Sequence, residues 1–338
     1  MKRARPILAL ALLASTVHAE PQQLFRVGTL CPEGSGWARE LHAFIRDVDS
    51  STNGRVAVKI YFGASAGDEP EQLDRIRRGQ LDAIMGGVGC ERIVPSLRLV
   101  RLPGLFQDRD EAAAIMNALH PQFEKEAAAA GFVMTGTTGL GPDVYFMMHP
   151  VHSMAELRST KLWRWDIDEV GIATSRAMGL NIVPTEIAKA GQALTQAQVD
   201  GVTAIPLAAL AWQWSARARY VTDLRGSYLW GCMLVKSSAF DRMLPGDRAA
   251  FRAAAAQLSL RMELIGRQQD EELLSGKYRV QGAIPVPVSK AFRAEYFDAA
   301  REARERLGER YVSRELLDRV LRMLADYRAQ HAASGQPR

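Results

Sequence analysis

The chain has 338 residues, 47% of them hydrophobic and 24% charged, with a formal charge of +5. This composition excludes a disordered, collagen-like or coiled-coil protein, and the length suits two domains of roughly 150 residues each. A mean hydropathy of −0.13 excludes a multi-span membrane protein.

Lys2, Arg3 and Arg5 precede a short apolar run from Ile7 to Ala14, followed by the small-x-small site Val17-His18-Ala19. That order reads as a secretory signal over residues 1–19, with the mature chain starting near Glu20. The apolar run is far below the roughly 20 residues that a spanning helix needs. Removing residues 1–19 takes away three cations and no anions, which leaves a net charge of +2. Charges of both signs are then mixed along the chain, so no nucleic-acid or membrane-surface partner is expected. The expectation is an exported, periplasmic protein without direct membrane insertion.

In chain order, residues 24–29 read as a strand followed by the loop CPEGSG. Trp37, Leu41, Phe44, Ile45 and Val48 then mark one face of an amphipathic helix. Val56 to Phe62 is β-branched and aromatic and reads as a second strand. The loop GASAGDEP leads into a helix with Leu73 and Ile76, and Leu81 to Met85 is a third strand ending in GGVG. This β-α-β-α-β order implies an α/β domain whose ligand lies beyond the carboxyl ends of the strands. The middle repeats the theme: strands at 131–137, 145–148, 160–165, 181–184 and 201–205, with helices at 169–178 and 188–198. Tyr228 to Lys236 is again strand-like, and the chain is mainly helical from Phe240 onward, with Ser289 and Ser313 as N-caps.

The three cysteines, Cys31, Cys90 and Cys232, form no CxxC and no zinc spacing with histidine. In a sheet of order 2-1-3 the first and third strands are neighbours, which places Cys31 and Cys90 just past adjacent strand ends. A Cys31–Cys90 disulfide is expected, with Cys232 reduced inside an apolar strand. Gly63-Ala64-Ser65-Ala66-Gly67 matches a nucleophile elbow between strand and helix. Its histidine partners would have to come from His120, His149, His152 or His331, none in a recognisable catalytic setting. GGVG at 86–89 suggests close approach of backbone to a ligand or a neighbouring strand. Trp163 and Trp165 alternate onto one side of a strand end, as interdomain core or as cleft wall. Trp212, Trp214 and Trp230 carry the same ambiguity. No metal or cofactor pattern is present.

Several ordered segments resemble the solute-binding proteins of TRAP (tripartite ATP-independent periplasmic) transporters of the DctP type. They are EGSGW (33–37), TNGRVAVKIYFG (52–63), RIRRGQLDA (75–83) and LPGLFQDRDEA (102–112). Lys161-Leu162 sits where that family has its "GLKIR" strand, and Gln198-Val199-Asp200-Gly201 where it has "G-x-V-D-G". The resemblance implies a two-domain periplasmic-binding-protein fold (type II-like). Each domain would be a mostly parallel sheet flanked by helices, with a long C-terminal helix across both. The domains implied are 20–140 plus 222–260 and 141–221 plus 261–288, with 289–331 packed across the two. The resemblance also implies a non-enzymatic protein that captures a small organic acid and delivers it to integral membrane subunits.

The family's clamping arginine is replaced by Trp163, and Arg164 is displaced to the opposite face of the strand. Residues 139–143 lack the family's second cation, and Ala204-Ile205-Pro206 replaces a polar site. A bidentate arginine is the natural partner of a carboxylate, so the ligand expected here is a rather hydrophobic organic monoacid. The expected binding residues are Trp37, Glu69, Gly87, Leu140, Tyr145, Trp163, Arg164, Trp165, Asp166, Ile205, Pro206 and Trp230. Asp68, Glu69 and Asp166 could receive a donor group, with solvated loop carboxylates as the default. A twist in the strand would aim Arg164 inward and restore a carboxylate clamp. The alternatives are a secreted serine hydrolase using Ser65, or a binding protein for an ABC transporter or a sensor.

Overall fold

The computed structural model describes residues 22–274 and 282–333. The expected signal and cleavage site lie outside them. The chain opens with β1 (Gln23–Thr29), α1 (Gly36–Ser51), β2 (Val56–Tyr61), α2 (Glu69–Arg77) and β3 (Ala83–Gly86), the order read from the sequence. Ser35 and Asp68 cap the two helices by accepting bonds from the Ala38 and Glu69 amides, which relieves unpaired first-turn donors. Helices α3 (Arg109–Ala118) and α4 (His120–Ala129) lead into β4 (Phe132–Pro142). A single residue, Asp143, separates it from β5 (Val144–Met147).

Next come α5 (Met154–Ser159), β6 (Lys161–Trp165), α6 (Glu169–Ala177), β7 (Asn181–Thr185) and α7 (Ala190–Thr195). They are followed by β8 (Gly201–Ala204), α8 (Pro206–Ala211), β9 (Tyr220–Thr222), β10 (Tyr228–Lys236) and α9 (Ser237–Phe240). The chain then forms α10 (Pro245–Leu274), β11 (Ile284–Val286), α11 (Lys290–Tyr311) and α12 (Arg314–Ala333).

The strands form two mixed sheets, β2-β1-β3-β10-β4 and β11-β9-β5-β8-β6-β7. The chain crosses from the first to the second at Asp143 and returns between β9 and β10. Both faces of each sheet are covered. On one face of the first, Phe25, Phe44 and Phe251 meet ring to ring, while Ile84, Leu97 and Phe123 fill the other. Such near-complete burial of aromatic and branched side chains supplies the main favourable term in folding, about 25 cal/mol per Å² of apolar surface. α11 packs on α5 and α6 beside the second sheet, and α12 on α3 beside the first. Ser289 caps α11, its hydroxyl accepting the Phe292 amide at 3.1 Å.

Two expectations change. The boundary expected at 260/261 falls inside α10. Arg261, just past it, pairs with Glu40 and Asp47 of α1 at 2.9 and 3.0 Å, so this part of the helix stays with the first sheet. The disulfide joins Cys90 to Cys232, with α-carbons 6.2 Å apart, and Cys31 is the free, buried thiol. The 2-1-3 neighbourhood of β1 and β3 is present. What it leaves out is β10, which inserts antiparallel on the other side of β3 and sets Cys232 opposite Gly86. Cys90 lies four residues beyond Gly86 and turns toward β10. The Cys31 thiol instead contacts the Ser35 hydroxyl at 3.2 Å. β9 and β11 have three residues each and carry no alternation to read. Pro285 in β11 suits an edge strand. Among the described residues, no helix is long and apolar enough to cross a membrane.

Candidate solute-binding cleft

A cavity of about 150 Å³ lies where the carboxyl ends of β1 and β3 face the second sheet. Gly136, Thr137, Thr138 and Leu140 of β4 form its floor, and Trp165, Ile187, Ile205 and Trp212 come from the opposite side. Leu258, Ser259 and Met262 of α10 close it. Among the described residues, the lining is overwhelmingly apolar and contains no lysine, arginine or histidine. Its one acid is Glu69.

Glu69 is 3% exposed. Its Oε1 accepts the Gly87 amide at 2.8 Å and its Oε2 accepts the Gly89 amide. The glycines of GGVG make room for it: a Cβ at Gly86 would stand 2.9 Å from the Glu69 carboxyl carbon, and one at Gly89 2.8 Å from its Cβ. The close backbone approach expected at 86–89 is therefore made to this side chain. Burial pushes the Glu69 carboxyl up to about 7, although the two amides pull the other way. Trp37 is 8% exposed, and its indole Nε1–H has no hydrogen-bond partner among the described residues. Trp165 Nε1 donates to Asp68 Oδ2 at 3.1 Å, a bond between the end of β6 and the cap of α2. Burial raises the pKa of Asp68.

Of the binding residues expected from the sequence, Trp37, Glu69, Gly87, Leu140, Trp165 and Ile205 come together on this cavity. The others stand elsewhere. Trp163 shares the parity of Trp165 but lies deeper; it packs on Trp214 with centroids 5.0 Å apart and donates to Thr185 Oγ1 at 2.8 Å. Tyr145 meets Tyr296 through their hydroxyls at 3.0 Å, inside a separate core. Pro206 is buried as the first residue of α8. Trp230 opens on a different groove, between α3–α4 and α10. Asp166 is exposed.

Arg164 faces away from the cavity into a buried ionic cluster. It reaches Asp143 at 3.1 Å and Asp168 at 3.3 Å. Arg101 joins the same two carboxylates at 3.0 and 2.5 Å. It also stands 3.9 Å from Glu91. Burial works against the charge of Asp168, but Arg101 and Arg164 outweigh it and hold its pKa below the usual value. Burial likewise opposes the charge of Arg101, and Asp143 and Asp168 raise its pKa nonetheless. Burial pushes Glu91 up to about 8, against the pull of Arg101. Arg164 is thus already neutralised, and the inward twist that would restore a carboxylate clamp is not adopted.

Sequence reasoning missed the wall contributed by Leu229, Leu258 and Met262, and it left Trp212 undecided. Leu258 and Met262 are one helical turn apart on α10, a spacing that marks a buried face without saying what lies against it. Ser65 sits in an exposed turn and donates to the Phe62 carbonyl at 2.7 Å. His149 and His152 are exposed in the loop between β5 and α5. No catalytic constellation forms around Ser65 from these residues.

The model of the DctP family, bacterial extracellular solute-binding protein family 7, matches residues 27–310. The chain belongs to this family. A solute-binding protein of Chromohalobacter salexigens is 25% identical over 259 residues, 75% of this chain and 76% of the relative. One of Verminephrobacter eiseniae is 22% identical over 246 residues, covering 71% and 72%. Among solved structures, a TRAP periplasmic solute-binding protein of Ralstonia eutropha with bound (S)-2-acetolactate has a TM-score of 0.81 at 19% identity, covering 90% of this chain and 99% of that one. Another, from Chromohalobacter salexigens with bound D-glucuronate, has a TM-score of 0.77 at 21% identity, covering 89% and 99%. At these identities the structural likeness is one of fold, and it agrees with the two α/β units described above.

Proposed function

We propose that this chain is the periplasmic solute-binding component of a TRAP-type transporter. It captures a small, largely apolar organic monoacid between its two sheets and hands it to integral membrane subunits, without catalysis. Closure of the two lobes on the solute is a hinge motion about the crossing strands. Family membership supports the transport role, and the organic acids bound by solved proteins of this fold support the solute class.

The observation that carries the solute's apolar character is the lining of the cavity: indole and aliphatic walls without a cation. Burying an unpartnered carboxylate costs several kcal/mol, so a dicarboxylate or sugar acid is disfavoured. An apolar chain or ring against Trp165 and Trp212 gains about 25 cal/mol per Å² buried.

Calorimetry with succinate, malate and glucuronate against hexanoate and phenylacetate tests this reading, alongside native mass spectrometry of any molecule that co-purifies. The apolar acids should bind and the polar ones should not. Tight dicarboxylate binding that is lost in Arg164→Ala and kept in Trp163→Ala would overturn it.

A further inference from the structure

The polar end of the cleft is unusual for a site that receives acids. Its one acid is Glu69, and the buried side-chain donor on its lining that has no partner among the described residues is the Trp37 indole N–H. Both side chains are more than nine-tenths buried. We propose that Glu69 and Trp37 select the solute's head group by hydrogen bonding without a compensating cation, Glu69 accepting a proton-bearing donor and Trp37 donating to an acceptor. The solute therefore enters with a neutral head, such as an amide or a hydroxyl, and an organic acid enters only together with one proton. This rests on the cavity being the solute site.

A carboxylate anion placed beside ionised Glu69 would put two like charges in an apolar enclosure, where neither has a countercharge. One proton shared between the two carboxyls removes that conflict, as in any close carboxyl pair. The head group's other oxygen then meets the Trp37 N–H. The groups that face Glu69 do not supply the missing charge. Asp68, on its own helix, adds to the negative potential, and Glu91, on the turn after β3, is pushed up to about 8 by burial and supplies no positive charge. Arg92, on that turn, opposes them but does not line the cavity. Trp165, from β6, is neutral and already donates to Asp68. The Cys31 thiol is pushed up to about 11 by burial and stays protonated. A raised Glu69 pKa fits this setting, because the site favours the proton that the bound acid needs.

Two matched series test the inference: hexanoate with hexanamide, and phenylacetate with phenylacetamide, titrated into the full mature chain by calorimetry. At about pH 8 each amide should bind at least roughly tenfold more tightly than its acid. The acids should gain about tenfold in affinity for each pH unit lowered from about 9 toward 7, with uptake of one proton read from buffers of different ionisation enthalpy. In Glu69→Gln, which removes the negative charge and the titrating carboxyl, acid binding should lose its pH dependence and the amide preference should collapse. Trp37→Phe should weaken every member several-fold and leave the amide-to-acid ratio unchanged; thermal unfolding of both variants checks their folding. Acids that match amides at pH 8 without proton uptake overturn the inference, while the apolar-cleft reading survives. So does a pH slope that persists in folded Glu69→Gln. If no member of either series binds at any of these pH values, the apolar-cleft reading fails and the inference fails with it.

Discussion

Arg164 and Trp165 are consecutive residues of β6, and they serve two buried regions with opposite electrostatics. On the Arg164 side, two guanidiniums meet Asp143 and Asp168 within 3.3 Å, so charge is buried with its partner. The carboxyl left over there, Glu91, is the one that burial pushes up to about 8. On the Trp165 side, Glu69 has backbone amides but no cation, and burial holds it near 7. Asp168, which two arginines face closely, has its pKa held low, whereas burial pushes up both Glu69 and Glu91. Arg164 is consumed by the fold, paired to Asp143 and Asp168.

The sharpest way to break this contrast is to remove an arginine from the paired region. Arg101→Met should cost about 3–5 kcal/mol in urea unfolding, because it leaves two buried carboxylates, Asp143 and Asp168, with Arg164 as their one close cation. A loss below about 1 kcal/mol would mean that water reaches the cluster. Next in size is the covalent tie between the two regions, since Cys90 adjoins Glu91 and Cys232 lines the cavity. Cys232→Ser should cost about 2–4 kcal/mol, and Cys31→Ser much less. Thiol titration of the unfolded, unreduced chain should find one free cysteine; three would remove the tie.

The pH dependence separates the two kinds of acid. Because the folded pKa of Glu91 lies above its unfolded value of 4.5, its contribution is present below pH 4.5 and lost as the pH rises to about 8. Asp168 has the opposite sign: its contribution is present above the ordinary aspartate value and is lost as the pH falls through its lowered pKa. Glu91→Gln should therefore flatten the decline of stability between about pH 5 and 8 while leaving acid unfolding in place. An unchanged slope would count against the buried, neutral Glu91. The smallest effect expected is that of Trp165→Phe, which removes the bond to Asp68 and keeps a ring in the wall. It should cost about 1 kcal/mol, with a several-fold loss of solute affinity by calorimetry; an unaltered affinity would place Trp165 outside the solute's reach.

Local pattern went furthest where the chain is local. The β-α-β-α-β opening, the caps at Ser289 and Ser313 and the strand ends that converge on the cleft follow from periodicity and turn chemistry. So does the opposite facing of Arg164 and Trp165, since strand side chains alternate. Alternation cannot give depth, which is why Trp163 and Trp165 looked equivalent although one is core and the other cleft wall. Partners from distant segments left no trace. Nothing near Cys90 announces that β10 arrives beside β3, and nothing near Arg164 announces Arg101. Glu69 looked like a loop carboxylate because its burial is created by the backbone of Gly86, Gly87 and Gly89, which lies beyond it in sequence.

The position of β10 also governs the sequence of events in folding. It is the strand that joins β3 to β4, and it lies beyond the whole run from β5 to β9. Until Tyr228–Lys236 is available, the first sheet consists of two pieces with no shared edge. The second sheet needs only the contiguous strands β5 to β9 to form its centre, with β11 added later at the rim. When the amino end emerges first, the segment translated second is thus the one able to assemble first, and the amino-terminal lobe waits for it. Pulsed hydrogen exchange during refolding should show protection in residues 144–222 before β1 and β3, the reverse of their order along the chain.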